Sequence, residues 1–182
     1  MRAGTLNLRA EVLELDADVC PRLVMRRWVS LRAKDAGDVS APTGLRSAGM
    51  VEVRGWFSGE YQAGRYIRIG DRLLVIADSR DPMGNGAEIV ISCYELRGLP
   101  AEYRPAEGRP APCRVHLTHE APWLDEMGAV TSYKTRAEVA LIEVGRPQVG
   151  DQIHIMGTLY SVIAYADESD DGVVRGLWLE DV

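Results

Sequence analysis

Apolar and polar residues alternate along this chain in short runs, and no stretch sustains a 3.6-residue apolar period. A period of two puts successive side chains on opposite faces of an extended strand, so the pattern predicts sheet rather than helix. Leu6, Leu8, Ala10 and Val12 share one phase, which then slips to Leu13 and Leu15. Met50 to Arg54, Tyr66 to Ile69, Leu73 to Ala77 and Ala87 to Tyr94 follow the same rule, each bounded by Gly, Pro, Asp or Asn. Gly55 to Gly59, Gln62 to Gly64 and Asp81 to Gly86 carry turn chemistry. Thr43 to Gly49 has room for one helical turn, and Arg136 to Glu143 fits either helix or strand.

Between Leu96 and Pro112 the texture changes to four prolines and two glycines. Proline donates no ladder hydrogen bond, so this stretch reads as a stiff, extended linker. Strands resume at Cys113 to Leu117, Val139 to Val144, Gln152 to Met156, Leu159 to Ala164 and Gly176 to Glu180. The expected fold is all-β, with two small β-barrels in tandem: residues 1–98, a linker at 99–112, and residues 113–182. A shared ending supports duplication. Ile67-Arg-Ile, Gly70, Leu73 and Val75-Ile-Ala match Ile153-His-Ile, Gly157, Tyr160 and Val162-Ile-Ala, and Ile89-Val-Ile then matches Leu177-Trp-Leu.

Composition narrows the function classes. With 182 residues, 46% hydrophobic and 26% charged, the chain has the make-up of an ordinary globular protein. One Phe beside four Trp and seven Tyr leaves most of the core to Val, Ile and Leu. No window approaches the roughly 20 apolar residues of a membrane span, and the first twenty hold no signal-peptide core. A soluble protein made in the cytoplasm is expected, without membrane contact. Cys20, Cys93 and Cys113 are widely spaced and odd in number, the pattern of reduced thiols. Net charge is −6, and to Gly98 there are 14 basic against 13 acidic residues, then 7 against 14. An acidic second half opposes a grip on phosphate backbone but suits DNA passing close by without sticking.

Sites of chemistry are sparse. His116-Leu-Thr-His119-Glu120 offers two imidazoles and a carboxylate as weak metal-ligand candidates, with His154 as the distant fourth, but Val115-His-Leu reads as a strand end. Asp167 to Gly172 resembles the opening of a calcium loop, yet Trp178 stands where the bidentate Glu belongs, and the segment reads as an acidic turn. Gly55 to Gly64 lacks a phosphate-binding pattern, and no nucleophile elbow occurs. The carboxylates of Asp78 and Asp81 read as solvated loop charge. No catalytic residue and no cofactor is expected. Arg22, Arg26, Arg27, Arg32 and Lys34 form the main basic concentration, a candidate for DNA or an acidic partner, or a solvated strand edge.

The first half resembles the head-closure or head–tail joining proteins of long-tailed phages. The resemblance lies in Met1-Arg-Ala-Gly-Thr-Leu, a Trp28-Val-Ser-Leu-Arg-Ala strand, Val51-Glu-Val-Arg, Ile67-Arg-Ile-Gly, Leu74-Val-Ile-Ala and Ile89-Val-Ile-Ser-Cys-Tyr-Glu. The second half resembles the lambda-type head–tail joining family through Val149-Gly-Asp-Gln-Ile-His-Ile, Tyr160-Ser-Val, Asp170-Asp-Gly172 and Leu177-Trp-Leu-Glu. Two departures stand out: both types share one chain, and Asp35-Ala-Gly37-Asp replaces the family's Gly-and-Glu signal. The resemblance implies a structural neck protein of the virion, a ring of six or twelve copies between the portal or adaptor and the tail-terminator protein. A tail-terminator or tail-completion role is the alternative, and a metal-binding domain using His116 and His119 is a third. Val39 to Gly49 and Glu120 to Lys134 are the longest expected loops. Arg26, Arg27, Arg32, Trp123 and Met127 are the partner-contact candidates, with capping of its own barrel as the other role open to the last two.

Overall fold

A computed structural model describes residues 6–33, 44–124, 127–166 and 170–182. The chain divides into two compact units, Met1–Leu96 and Arg97–Val182. In the first, β1 (Leu8–Leu15), β2 (Pro21–Ala33), β3 (Arg46–Trp56), β4 (Tyr66–Ile69), β5 (Arg72–Arg80) and β6 (Glu88–Leu96) form an antiparallel closed barrel in the order β1-β2-β3-β6-β5-β4. In the second, β7 (Leu99–Arg104), β8 (Ala111–Leu124), β9 (Val130–Ala140), β10 (Gln152–Ile155), β11 (Thr158–Ala166) and β12 (Val174–Asp181) close in the order β7-β8-β9-β12-β11-β10. Counted from the start of each unit, the two orders are identical. The fold is all-β, two six-stranded barrels in tandem, and no helix among the described residues is long and apolar enough to cross a membrane.

Alternation fills each interior. Ala10 and Val12, Val29, Val51 and Val53, Ile67 and Ile69, Leu74 and Ile76, and Ile89, Ile91 and Cys93 line the first, joined by Tyr61 from the β3–β4 connection. Tyr103, Cys113 and Val115, Ala137 and Val139, Ile153 and Ile155, Tyr160 and Val162, and Leu177 and Leu179 line the second, with Val144. Val144 ends α1 (Leu141–Val144), a single turn tied to β8 by Glu143, which accepts hydrogen bonds from the Arg114 backbone N–H and Nε at 2.9 Å. Each large apolar side chain enclosed this way contributes on the order of 1.5–3 kcal/mol. Ring closure also removes the unpaired sheet edges that invite aggregation.

Several sequence expectations need correction. The linker at 99–112 is structured: Leu99–Arg104 is the first strand of the second barrel, hydrogen-bonded to β8 and β10, and Ala111 opens β8. Its prolines sit where a missing N–H is tolerated. Pro100 precedes the β10-paired stretch Ala101–Arg104, Pro105 and Pro110 lie in the turn, and Pro112 is the second residue of β8. The helical turn expected near Thr43–Gly49 is strand from Arg46 onward, bulged between Arg46 and Met50. The expected loop Glu120–Lys134 is mostly the paired arms of a β8–β9 hairpin, and Val139–Val144 is strand only to Ala140. Lys34, Asp35–Asp38, residues 39–43, residues 167–169 and the Met1–Thr5 start of the resemblance lie outside the described residues.

The duplication is in the fold, but one residue out of the letter match. In the first barrel the Gly64 N–H bonds the Ile76 carbonyl and the Ile76 N–H bonds the Arg65 carbonyl; in the second, Gly150, Val162 and Asp151 repeat both bonds. Ile67 faces Leu74 as Ile153 faces Tyr160. Bulges fall between Ile76 and Asp78 and between Val162 and Ala164. Ile76, and not Val75, therefore corresponds to Val162, and Ile91-Ser-Cys93, rather than Ile89-Val-Ile, to Leu177-Trp-Leu179. The core-facing phase is kept while neighbouring letters drift.

Candidate functional site

The metal candidates lie along β8. His116 pairs in register with Glu138, and His119 falls in the bulge between Thr118 and Ala121, beside Glu120 with its left-handed φ of 54°. His154 lies on β10, between β7 and β11. Among the described residues no three His, Cys, Asp or Glu side chains are grouped to hold a metal ion. In the described part of the acidic turn, Asp170 and Asp171 bind the local chain. Asp171 accepts from the N–H of Val173 and Val174 at 3.0 and 2.9 Å, and Asp170 pairs with Arg175 at 2.6 Å. Asp81 does likewise, accepting from Met83, Gly84 and Gly86; these N–H groups, Gly86 foremost, hold its carboxyl below the usual range.

The basic residues of β2 divide by partner. Arg22 pairs with Glu14 and Arg26 with Glu11 at 2.9 Å. Arg27 and Arg32 are exposed, Arg32 in register with Glu52 of β3. Around Glu11 the sheet assembles a charge cluster invisible as a linear run. Glu11 lies between Arg26 on β2 and Arg68 on β4, and Arg9 stands two residues away on the same face. These four side chains and Gly70 line an open depression of about 520 Å³.

The second barrel carries an apolar projection. Beyond Thr118 and Thr135 the β8–β9 hairpin pairs with no further strand among the described residues, since β8 pairs with β7 only to Val115 and β9 pairs with β12 from Thr135. At its end Leu124, Met127, Val130 and Tyr133 are exposed, Met127 by 94%. Trp123 and Met127, paired as candidates, are separated by the fold. Trp123 meets Trp178 of its own barrel edge to face, with centroids 5.0 Å apart, and Lys134 Nζ lies 4.5 Å over its ring. Pro122, Trp123, Arg136, Tyr165 and Trp178 border a shallow groove of about 330 Å³ beside it.

One buried polar centre escaped sequence reasoning. Asp151, 3% exposed, accepts hydrogen bonds from the Tyr103 hydroxyl, from Ala106 N–H at 2.8 Å and from Gln148 N–H at 2.6 Å. Burial, then the Asp151 carboxylate, pushes the Tyr103 phenol upward. The arrangement fastens the β7–β8 turn and the approach to β10 around one carboxylate, which gives the Gly150-Asp151 dipeptide a structural task. Its signal in the sequence is the Gly-Asp pair itself, two of whose three partners, Tyr103 and Ala106, lie in the proline-rich stretch. Comparison with protein families, curated proteins and solved structures yields no match.

Proposed function

We propose that this protein is a non-catalytic connector of the tailed-phage neck, a ring-forming adaptor between the DNA-filled head and the tail. The observation that carries this reading is the β8–β9 hairpin, which offers Leu124, Met127, Val130 and Tyr133 to solvent beyond its own barrel. An exposed apolar end of this kind favours a protein neighbour. Ring closure requires two different patches that meet around an axis, and a projecting hairpin supplies one of them. Six or twelve copies, with portal or adaptor on one side and tail terminator on the other, follow from the resemblance. The acidic second half suits a wall past which DNA slides without adhering. The protein would be made in the host cytoplasm and reside in the virion neck.

Electron microscopy of particles lacking this gene alone tests the reading. DNA-filled or leaking heads beside free tails of normal length are expected. Tails of uncontrolled length would transfer the protein to the terminator position, and intact infectious particles would refute both roles.

A further inference from the structure

The outer face of the first barrel combines guanidinium groups with exposed aromatic rings. Trp28 pairs in register with Arg9, and the residue is 57% exposed. The Val29–Gly55 pair sets Trp28 beside Trp56, itself 47% exposed, at the end of the β2–β3 ladder. One rung along lies the row Arg26–Glu11–Arg68. Glu11 is engaged by Arg26, whereas Arg9 and Arg68 are ion-paired to no described carboxylate. Gly70 opens the β4–β5 turn at φ 57°, and a Cβ built on it would meet nothing within 4 Å, so the depression stays unfilled above it. The depression therefore holds three positive charges against one negative.

The second barrel shows that the fold does not require this. Its ladder puts Pro100 where the first has Arg9, Pro112 where it has Arg26, His154 where it has Arg68, and Met156 where it has Gly70. Glu102, the counterpart of Glu11, pairs instead with Arg104 of its own strand at 2.5 Å. With Arg114 in the place of Trp28, the same architecture closes without the cluster, so barrel closure does not require these arginines or the tryptophan.

We infer that this face binds single-stranded nucleic acid, with phosphates against Arg9, Arg26 and Arg68 and a base stacked on Trp28. Guanidinium groups match phosphate oxygens in a planar fork, and an exposed indole stacks any base, which gives binding without sequence preference. This goes beyond the neck reading and does not depend on it.

Fluorescence anisotropy of the full chain with a labelled oligothymidylate tests the inference. Binding is expected at low ionic strength, with a log–log salt slope of about −1.4 to −2.1 for two or three phosphate contacts on a single strand. Arg9→Glu with Arg68→Glu should weaken binding at least about tenfold and flatten that slope, and Trp28→Ala should weaken it about 5- to 150-fold. Pro100→Ala, at the equivalent place in the second barrel, should leave binding unchanged. Absence of binding at low salt overturns the inference, as does indifference to the charge reversals. Equal affinity for a duplex, or for polyglutamate under the same conditions, overturns it too. Should Trp28→Ala fail to fold, the charge-reversal pair, placed on solvent-facing side chains, decides alone.

Discussion

At the register position where the first barrel has Gly55, between Val29 and Ile89, the second has Val139, between Val115 and Arg175. The connection that follows then supplies a plug of opposite size. Tyr61 enters the first interior, and a Cβ built on Gly55 would stand 3.3 Å from its hydroxyl. Val144 of α1 enters the second. Small wall with large plug, and larger wall with small plug, fill similar space. Packing density is thus conserved by pairs of positions rather than by single residues. A second exchange concerns charge. Arg65 and Asp151 hold the same backbone place, but Arg65 reaches outward to Glu14 and Glu60 while Asp151 turns inward to Tyr103.

Four measurements would break or sharpen this comparison, with unfolding followed separately through Trp28 and Trp56 in one barrel and Trp123 and Trp178 in the other. The largest effect belongs to the shared core. Ile67→Ala and Ile153→Ala should each cost about 2–5 kcal/mol in urea unfolding, each in its own barrel, because both leave a cavity in a closed interior. Unequal losses would show that one interior collapses around the hole. Asp151→Ala should cost about 3 kcal/mol by stranding a buried hydroxyl and two N–H groups. Arg65→Ala, whose ion pairs are partly solvated, should cost about 1 kcal/mol or less. Gly55→Val should cost about 1–3 kcal/mol through collision with Tyr61, and adding Tyr61→Val should recover part of it. Simple additivity of the two would dismiss the exchange of volumes.

The smallest effect is a pH dependence. Burial pushes the Tyr61 phenol from 10.0 up to about 12, and its hydroxyl has no hydrogen-bond partner among the described residues. A raised folded-state value favours the neutral form, so its stabilisation is complete below about pH 10 and lost as pH rises toward 12. Tyr61→Phe should reduce the alkaline fall of the first barrel's urea midpoint without abolishing it, since the buried Cys93 thiol of the same interior is also pushed up. It should leave unchanged the alkaline loss of the second, where Tyr103 is pushed up too.

The legible parts of the fold were those where alternation coincides with burial. Ile67-Arg-Ile69 and Ile153-His-Ile155 announced β4 and β10 because an outward residue separates two core residues. Leu99–Arg104 was hidden since proline reads as interruption, although a strand's entry and its turns accommodate it. The repeat is legible but one residue out of register, because Val75-Ile-Ala and Val162-Ile-Ala match as letters while the sheet selects for facing. The candidate surface was half legible. Arg26 stood out within a run of arginines, but Arg9 and Arg68 join it only through the closure of β1 against β4. Non-local register leaves no trace in spacing.

The placement of sulfur has a consequence for how this protein ages in air. Cys93 and Cys113 are buried, and burial pushes both thiols up to about 12, so neither presents a thiolate to oxidants. Met127 at the hairpin end is almost wholly exposed, as to a large degree are Met83 and Met156. Cys20 is the exposed thiol, so peroxide will oxidise it and write sulfoxides onto the outside while the two interiors stay reduced. An old preparation would melt like a fresh one yet associate differently, its hairpin end converted from greasy to polar.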